Sequence, residues 1–275
     1  MIAIVVDSTV NITMRESQLY GIRIVPASFS VNNHLFKEKY IDQFYDEKTI
    51  YSPDVKCATF HPSANDFYNT FYKLGFYGFE IICITISSKL SSAYNSALLA
   101  AEYLPKVKIK VIDSRLAVGG LFLMAKKAHI LIKNKMTPEE IESALNDYKT
   151  KIKIKFTVDD YITLANSKRL GYVRGSAAPI LNYKPIFYCR NGSIYSDPAM
   201  QSARSGYDRI RSLVDEIPSS AKYVIINYIE KNRFFYAVLK HLHTTRPELS
   251  IEARKIGPVV GINIGNNMLA VVWSE

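Results

Sequence analysis

The sequence predicts an α/β protein in two parts: an N-terminal domain on a mostly parallel sheet with flanking helices, and a C-terminal mixed α/β domain. Three observations carry this. Through residues 1–151, short aliphatic runs alternate with segments whose apolar residues recur at helical spacing, the pattern of a parallel sheet covered by helices. From residue 152 onward, helical segments mix with a two-residue hairpin signal, Asn191-Gly192, between FYCR and SIYS. Finally, 275 residues that are 48% hydrophobic suffice for two cores of ordinary size. No repeat or low-complexity linker marks the boundary, which falls between residues 151 and 152.

Taken in order, Ile2–Val6 is a short buried strand ending at Asp7-Ser8-Thr9. Small polar residues there either face a ligand crevice or cap a turn. Ile22–Val31 is a second extended run, broken by Pro26, and His34 reads as a loop residue. Residues from Ile41 to about Tyr51 read as a helix. Cys57–Phe60 leads into His61-Pro62-Ser63, where Ser63 with Asp66 suits an N-cap. Phe67, Phe71 and Leu74 then recur at helical spacing. Phe79–Ile86 is a central strand, followed by a helix with Leu90, Tyr94, Ala97 and Ala101 on one face. Lys106–Ile112 is another strand, and Leu116 to Lys133 a long apolar helix. Thr137-Pro138-Glu139-Glu140 is a capping box with proline at the first helical position.

The second half opens with a strand over Lys151–Val158 and a helix from Asp159 to Leu170. Pro179–Tyr188 is extended and enters the hairpin. Helices over Ser205–Glu216 and Asn232–Thr244 frame a buried strand at Tyr223–Ile229. Ile251–Ile256 is extended, and Pro258–Trp273 reads as strand, polar turn, strand.

Composition narrows the function. No apolar run approaches the roughly 20 residues that span a bilayer, and the apolar start contains Asp7 and lacks a basic flank, unlike a signal peptide. Three scattered cysteines without ligand spacing suit reduced thiols and a cytoplasmic location. Lysine and arginine exceed the acids by ten (35 against 25). Lys106, Lys108 and Lys110, then Lys149, Lys151, Lys153 and Lys155, alternate with aliphatics. Period two makes them one solvated strand face and a guard against edge pairing, not a nucleic-acid footprint. An acidic partner or transient contact with a membrane surface fits the remaining charge. Neither a nucleotide motif nor a metal-ligand spacing is present, and no cofactor or metal is expected.

The densest chemistry lies in Ile84–Ala97, where a strand runs through Ser87 and Ser88 into a helix that opens with Ser91 and Ser92. Hydroxyls and free N–H groups at such a junction hold anions. Thr59, Ser87 and Ser88 would suit a carboxylate, which needs donors and no base. The same hydroxyls could instead be helix caps. A serine esterase pairing Ser88 with His61 is the catalytic alternative, weakened by the lack of a G-x-S-x-G elbow.

These residues resemble the DegV family of bacterial fatty-acid-binding proteins over nearly the whole chain. Val6-Asp7-Ser8-Thr9 is similar to its (V/T)-D-S-T opening, and Val25-Pro26 to its V-P segment. Thr59-Phe60-His61-Pro62-Ser63 resembles T-S-Q-P-S, and Ser87 to Ala97 resembles S-S-x-L-S-G-T-Y-x-S-A. Val111-Ile112-Asp113-Ser114, Val158-Asp159-Asp160 with Arg169, Lys184-Pro185-Ile186 with Asn191-Gly192, and Ile256-Gly257-Pro258 follow in the family's order. The resemblance implies two α/β domains with a long-chain fatty acid between them. It also implies a non-catalytic role: presenting the carboxylate to an ATP-binding fatty acid kinase subunit that forms an acyl phosphate for phospholipid synthesis. By motif, the carboxylate contacts are Thr59 and Ser88; Ser8, Thr9, Phe60, Ser87, Ser91, Tyr94 and Arg169 line or support the site. The family's C-terminal histidine position falls on Asn263, which donates a hydrogen bond but never carries charge, and His61 is a candidate replacement. These departures leave open a diverged member that binds another amphiphile and serves no kinase. Each buried CH2 contributes about 0.8 kcal/mol, so ten offer roughly 8 before ordering costs. The head-group contacts would then orient more than they bind.

Overall fold

A computed structural model describes residues 1–43, 45–52, 54–159, 161–170, 185–196, 206–265 and 267–275. Asp160, Lys184, Ser205, Asn266 and most of the extended run expected over 179–188 lie outside the described residues. Cα packing separates two units: residues 1–150 with 257–259, and residues 151–256 with 260–275.

The first unit begins with β1 (Ile2–Asp7), a short 3-10 turn at Ser8–Val10, α1 (Met14–Leu19), β2 (Ile22–Val25), β3 (Ala27–Val31), β4 (His34–Glu38), α2 (Glu47–Ile50) and β5 (Cys57–Phe60). It continues through α3 (Ala64–Phe76), β6 (Glu80–Thr85), α4 (Ala93–Glu102), β7 (Ile109–Asp113), α5 (Val118–Lys133) and α6 (Pro138–Lys151). Four strands form a wholly parallel sheet in the order β2-β1-β6-β7. Ile4, Val5 and Val6, and Ile81 through Ile84, are buried at successive positions, so both faces of the central strands are covered. The order reverses between β1 and β6, which makes their carboxyl ends the topological switch point.

Two local predictions hold in detail. Ser63 and Asp66 form a reciprocal capping box at α3. Thr137 and Glu140 do the same before α6, with Glu140 Oε2 accepting from Thr137 N–H at 2.8 Å.

The segment after β3 departs from expectation. Asn32 and Asn33 both take positive φ (47° and 69°), a tight turn that returns the chain as β4. His34 is therefore a strand residue, and β4-β3-β5 is a separate antiparallel sheet. The helix expected from residue 41 is only the single turn α2. The lysine-rich strand is likewise shorter than expected. Of Lys106, Lys108 and Lys110, only Lys110 lies within β7, and it pairs with Glu142 on α6 at 2.9 Å.

The second unit carries β8 (Ile152–Thr157), α7 (Tyr161–Asn166), β9 (Ile186–Arg190), β10 (Ser193–Ser196), α8 (Gly206–Val214), β11 (Tyr223–Tyr228), α9 (Arg233–Thr245), β12 (Ser250–Lys255), α10 (Pro258–Ile264) and β13 (Leu269–Ser274). The first residues of α10 pack with the first unit. Its mixed sheet has the order β10-β9-β8-β13-β11-β12. Asn191 and Gly192 turn the β9–β10 hairpin with φ of 50° and 87°, as their sequence predicts. Trp273, Phe235, Leu213 and Val271 belong to one buried cluster.

Two predictions fail here. Lys149 and Lys151 belong to α6, and Lys155 is 5% exposed, not on a solvated face. The reason is position: β8 is an interior strand between β9 and β13. The Lys155 ammonium reaches the Glu216 carboxylate at 2.5 Å, so its stem is buried and its charge is paired. The strand expected from Pro258 is α10 instead. Proline at the first helical position is pre-organised for a helix and outweighs the β preference of Val259 and Val260.

Candidate functional site

The carboxyl ends of β1 and β6 are joined by one buried side chain. Asp7, with no exposed surface, accepts from Ile86 N–H at 2.7 Å through Oδ2. Its Oδ1 accepts from Thr9 N–H at 3.1 Å and Thr9 Oγ1 at 2.5 Å. Burial raises its pKa, against the opposing pull of these hydrogen bonds. Ser8 Oγ accepts from Ala27 N–H at 3.0 Å, tying this turn to the start of β3. Ser8 and Thr9 are thus buried structural hydroxyls at the switch point.

Beyond β6, Ser87 N–H donates to Leu116 O at 2.9 Å, and Ser87 Oγ accepts from Lys89 N–H at 3.2 Å. Ser88 faces the next strand. Its N–H donates to Asp113 Oδ1 at 3.1 Å and its hydroxyl to Asp113 Oδ2 at 2.6 Å. Arg115 N–H also donates to Asp113 Oδ1, at 2.9 Å. Sequence reasoning missed this clamp. Its signal was the Asp-Ser pair closing β7, opposite the Ser-Ser pair that follows β6. Ser91 Oγ accepts from Ala93 N–H at 3.3 Å, and Tyr94 lies with Ser88 on the wall of a pocket of about 430 Å³.

Thr59 sits on β5 opposite Phe29 of β3 and is half-buried. Phe60 and His61 beside it are exposed. Thr59 and Ser88 therefore share a unit, but Thr59 stands on β5 of the antiparallel sheet and Ser88 in the turn after β6. The Ser88 hydroxyl rests on a carboxylate, and His61 is not among its hydrogen-bond partners in the described residues. The serine–histidine geometry of a hydrolase is not formed here.

In the second unit, Arg169 Nη1 donates to Asn263 Oδ1 at 2.5 Å and to Ser167 O at 3.1 Å. Burial lowers the Arg169 pKa from its high ordinary value. Asn263 thus orients its amide with the oxygen toward the guanidinium. Asp159, of the Val158-Asp159 motif, pairs with buried Arg209 at 3.0 Å. Among the described residues no cluster of three or more His, Cys, Asp or Glu side chains could hold a metal ion. Nor is any described helix long and apolar enough to cross a membrane.

A parallel sheet whose strand order reverses between β1 and β6 defines an open α/β protein. Within that class, the chain belongs to the DegV family. A family model described as "Uncharacterised protein, DegV family" matches residues 1–275. A DegV domain-containing protein of Halalkalibacterium halodurans is 26% identical over 99% of this chain and 98% of its own length. Protein DegV of Bacillus subtilis is also 26% identical, over the same shares. The fold is that of a fatty-acid-binding DegV family protein from Thermus thermophilus, with a TM-score of 0.88 at 19% identity over 100% of this chain and 99% of that one. It is also that of DegV, a fatty acid binding protein from Bacillus subtilis, with a TM-score of 0.85 at 23% identity over 99% and 98%.

Proposed function

We propose that the chain binds a long-chain fatty acid and presents its carboxylate to an ATP-binding kinase subunit, without catalysing chemistry itself. The observation that carries the head-group assignment is Ser88: a hydroxyl at the end of β6, held in one orientation by Asp113. Turning that hydroxyl toward a ligand carboxylate exchanges one charge-assisted bond, to Asp113 Oδ2, for another, while Asp113 Oδ1 keeps both backbone donors. Thr59 supplies the second hydroxyl and His61 is the further candidate contact of this unit; Asn263 is a candidate by the family resemblance of its motif alone. Structural likeness to DegV proteins described as fatty-acid binding supports the ligand class. The kinase role rests on the family resemblance of the motifs.

Native mass spectrometry of the purified protein, followed by oleate titration after delipidation, tests this reading. Ser88→Ala and Thr59→Val are each expected to weaken oleate by about tenfold, the worth of one charge-assisted hydrogen bond. Absence of a co-purified acid together with no oleate binding overturns the ligand class. Unchanged affinity in both variants overturns the head-group assignment.

A further inference from the structure

The pocket beside Ser88 is polar, and its charges do not cancel. It lies wholly within the first unit, between the ends of β6 and β7 and the flank of α6. Two acids line it, and both are already engaged. Glu142 pairs at 2.9 Å with Lys110, and Asp113 accepts from Ser88 N–H, the Ser88 hydroxyl and Arg115 N–H. Three cations line it as well, and none meets a carboxylate among the described residues. Lys149 Nζ donates to neutral oxygens, Asp113 O at 3.0 Å and Asn146 Oδ1 at 2.7 Å. The Lys89 ammonium and the Arg115 guanidinium have no hydrogen-bond or ion-pair partner among the described residues.

Lys149 records the imbalance. Burial lowers its pKa, and the charge of Arg115 lowers it further, against the opposing pull of Asp113. Lys149 is half-buried and Arg115 is exposed beside it, and two like charges so placed are relieved by an anion. An arginine fork beside a lysine is the pairing that suits phosphoryl oxygens. The Ser88 hydroxyl and Tyr94 add neutral groups to the same wall. At about 430 Å³ the pocket falls within the range of small-molecule sites and has room for more than one phosphate.

We propose that this pocket is a phosphate subsite, in which Arg115 and Lys149 hold the phosphoryl group of a small phosphate monoester and Lys89 screens it at the rim. The inference does not depend on fatty-acid binding, because it places no acyl chain in the pocket.

Isothermal titration of the full chain with glycerol phosphate and with inorganic phosphate tests it. Binding in the millimolar range or tighter is expected for at least one of them. Arg115→Ala and Lys149→Gln should each weaken it by about tenfold or more. Tighter glycerol phosphate identifies an ester as the occupant; equal or tighter inorganic phosphate identifies the free anion in its place and overturns the ester. The circular-dichroism spectrum and thermal midpoint of the same Arg115→Ala preparation should match the wild type and show that the protein is folded. No heat from either phosphate, or heat unchanged in both variants, overturns the subsite while leaving the fatty-acid reading intact. Phosphate binding without oleate binding does the reverse.

Discussion

Glu38→Gln should make the protein more stable at pH 8 than the wild type and nearly equal to it at pH 5. Glu38 closes β4 and is 1% exposed. One carboxyl oxygen accepts from Val259 N–H at 2.8 Å; the other is buried without a partner among the described residues. Burial pushes its pKa up from the ordinary 4.5 to about 8, the Val259 bond pulls it down, and the nearby charge of Asp7 pushes it up again. The sign follows. Between pH 4.5 and about 8 the folded state holds a proton that the unfolded chain has lost, so stability falls as pH rises through that window. A rise of that size sets a linkage ceiling of about 5 kcal/mol. Glutamine keeps the acceptor for Val259 and removes the titration. Thermal midpoints measured from pH 5 to 9 decide the matter. A wild-type midpoint that does not fall across the window, or a variant that tracks the wild type, sinks the assignment. Asp7, raised in the same direction by burial, leaves the variant with a shallower slope of the same sign.

The sequence revealed what depends on neighbouring residues. Strand β1 and its polar end, the capping boxes at Ser63 and Thr137, and the Asn191-Gly192 hairpin are all encoded within four or five positions. What it concealed depends on distance or on surroundings. Strand β4 has no alternation to betray it, since His34 through Lys37 are all exposed and only Glu38 is buried. The same glutamate meets Val259, 221 residues away, which no local pattern encodes. Lys155 follows the rhythm of a solvated strand but lies in an interior one, because sheet order decides what a strand face meets. The candidate site divides the same way. Ser88 stood out in its own motif and Asp113 in another, but the clamp between them had to be seen in the fold. Asn263 was marked by the absence of a histidine; its partner Arg169 was a supporting residue until the structure joined them.

Asp7→Ala is expected to cost about 3 to 5 kcal/mol, the second large effect. The carboxylate is the only described link between the ends of β1 and β6 through a side chain, and it serves three donors. Removing it leaves Ile86 N–H and Thr9 N–H in a buried site, at roughly 1 to 3 kcal/mol for each unmet group. Asp7→Asn should cost less than the alanine variant, about 1 to 2 kcal/mol. Its amide oxygen can accept from Ile86 N–H and its NH2 can donate to a reversed Thr9 hydroxyl; Thr9 N–H loses its acceptor, and the disappearance of the cost of burying a charge offsets part of that loss. Denaturant midpoints for the two variants separate these outcomes, and hydrogen exchange at the Ile86 amide locates the effect: rapid in alanine, protected in asparagine. An alanine variant no less stable than the asparagine one would show that the donors find other partners. The asparagine variant also checks the Glu38 argument, because losing the Asp7 charge removes one of the causes that raise Glu38. Its pH-dependent loss of stability should therefore be shallower and end at a lower pH. A single buried carboxylate thus fixes the strand ends on which Ser88 is carried and tunes the second buried acid of the same unit.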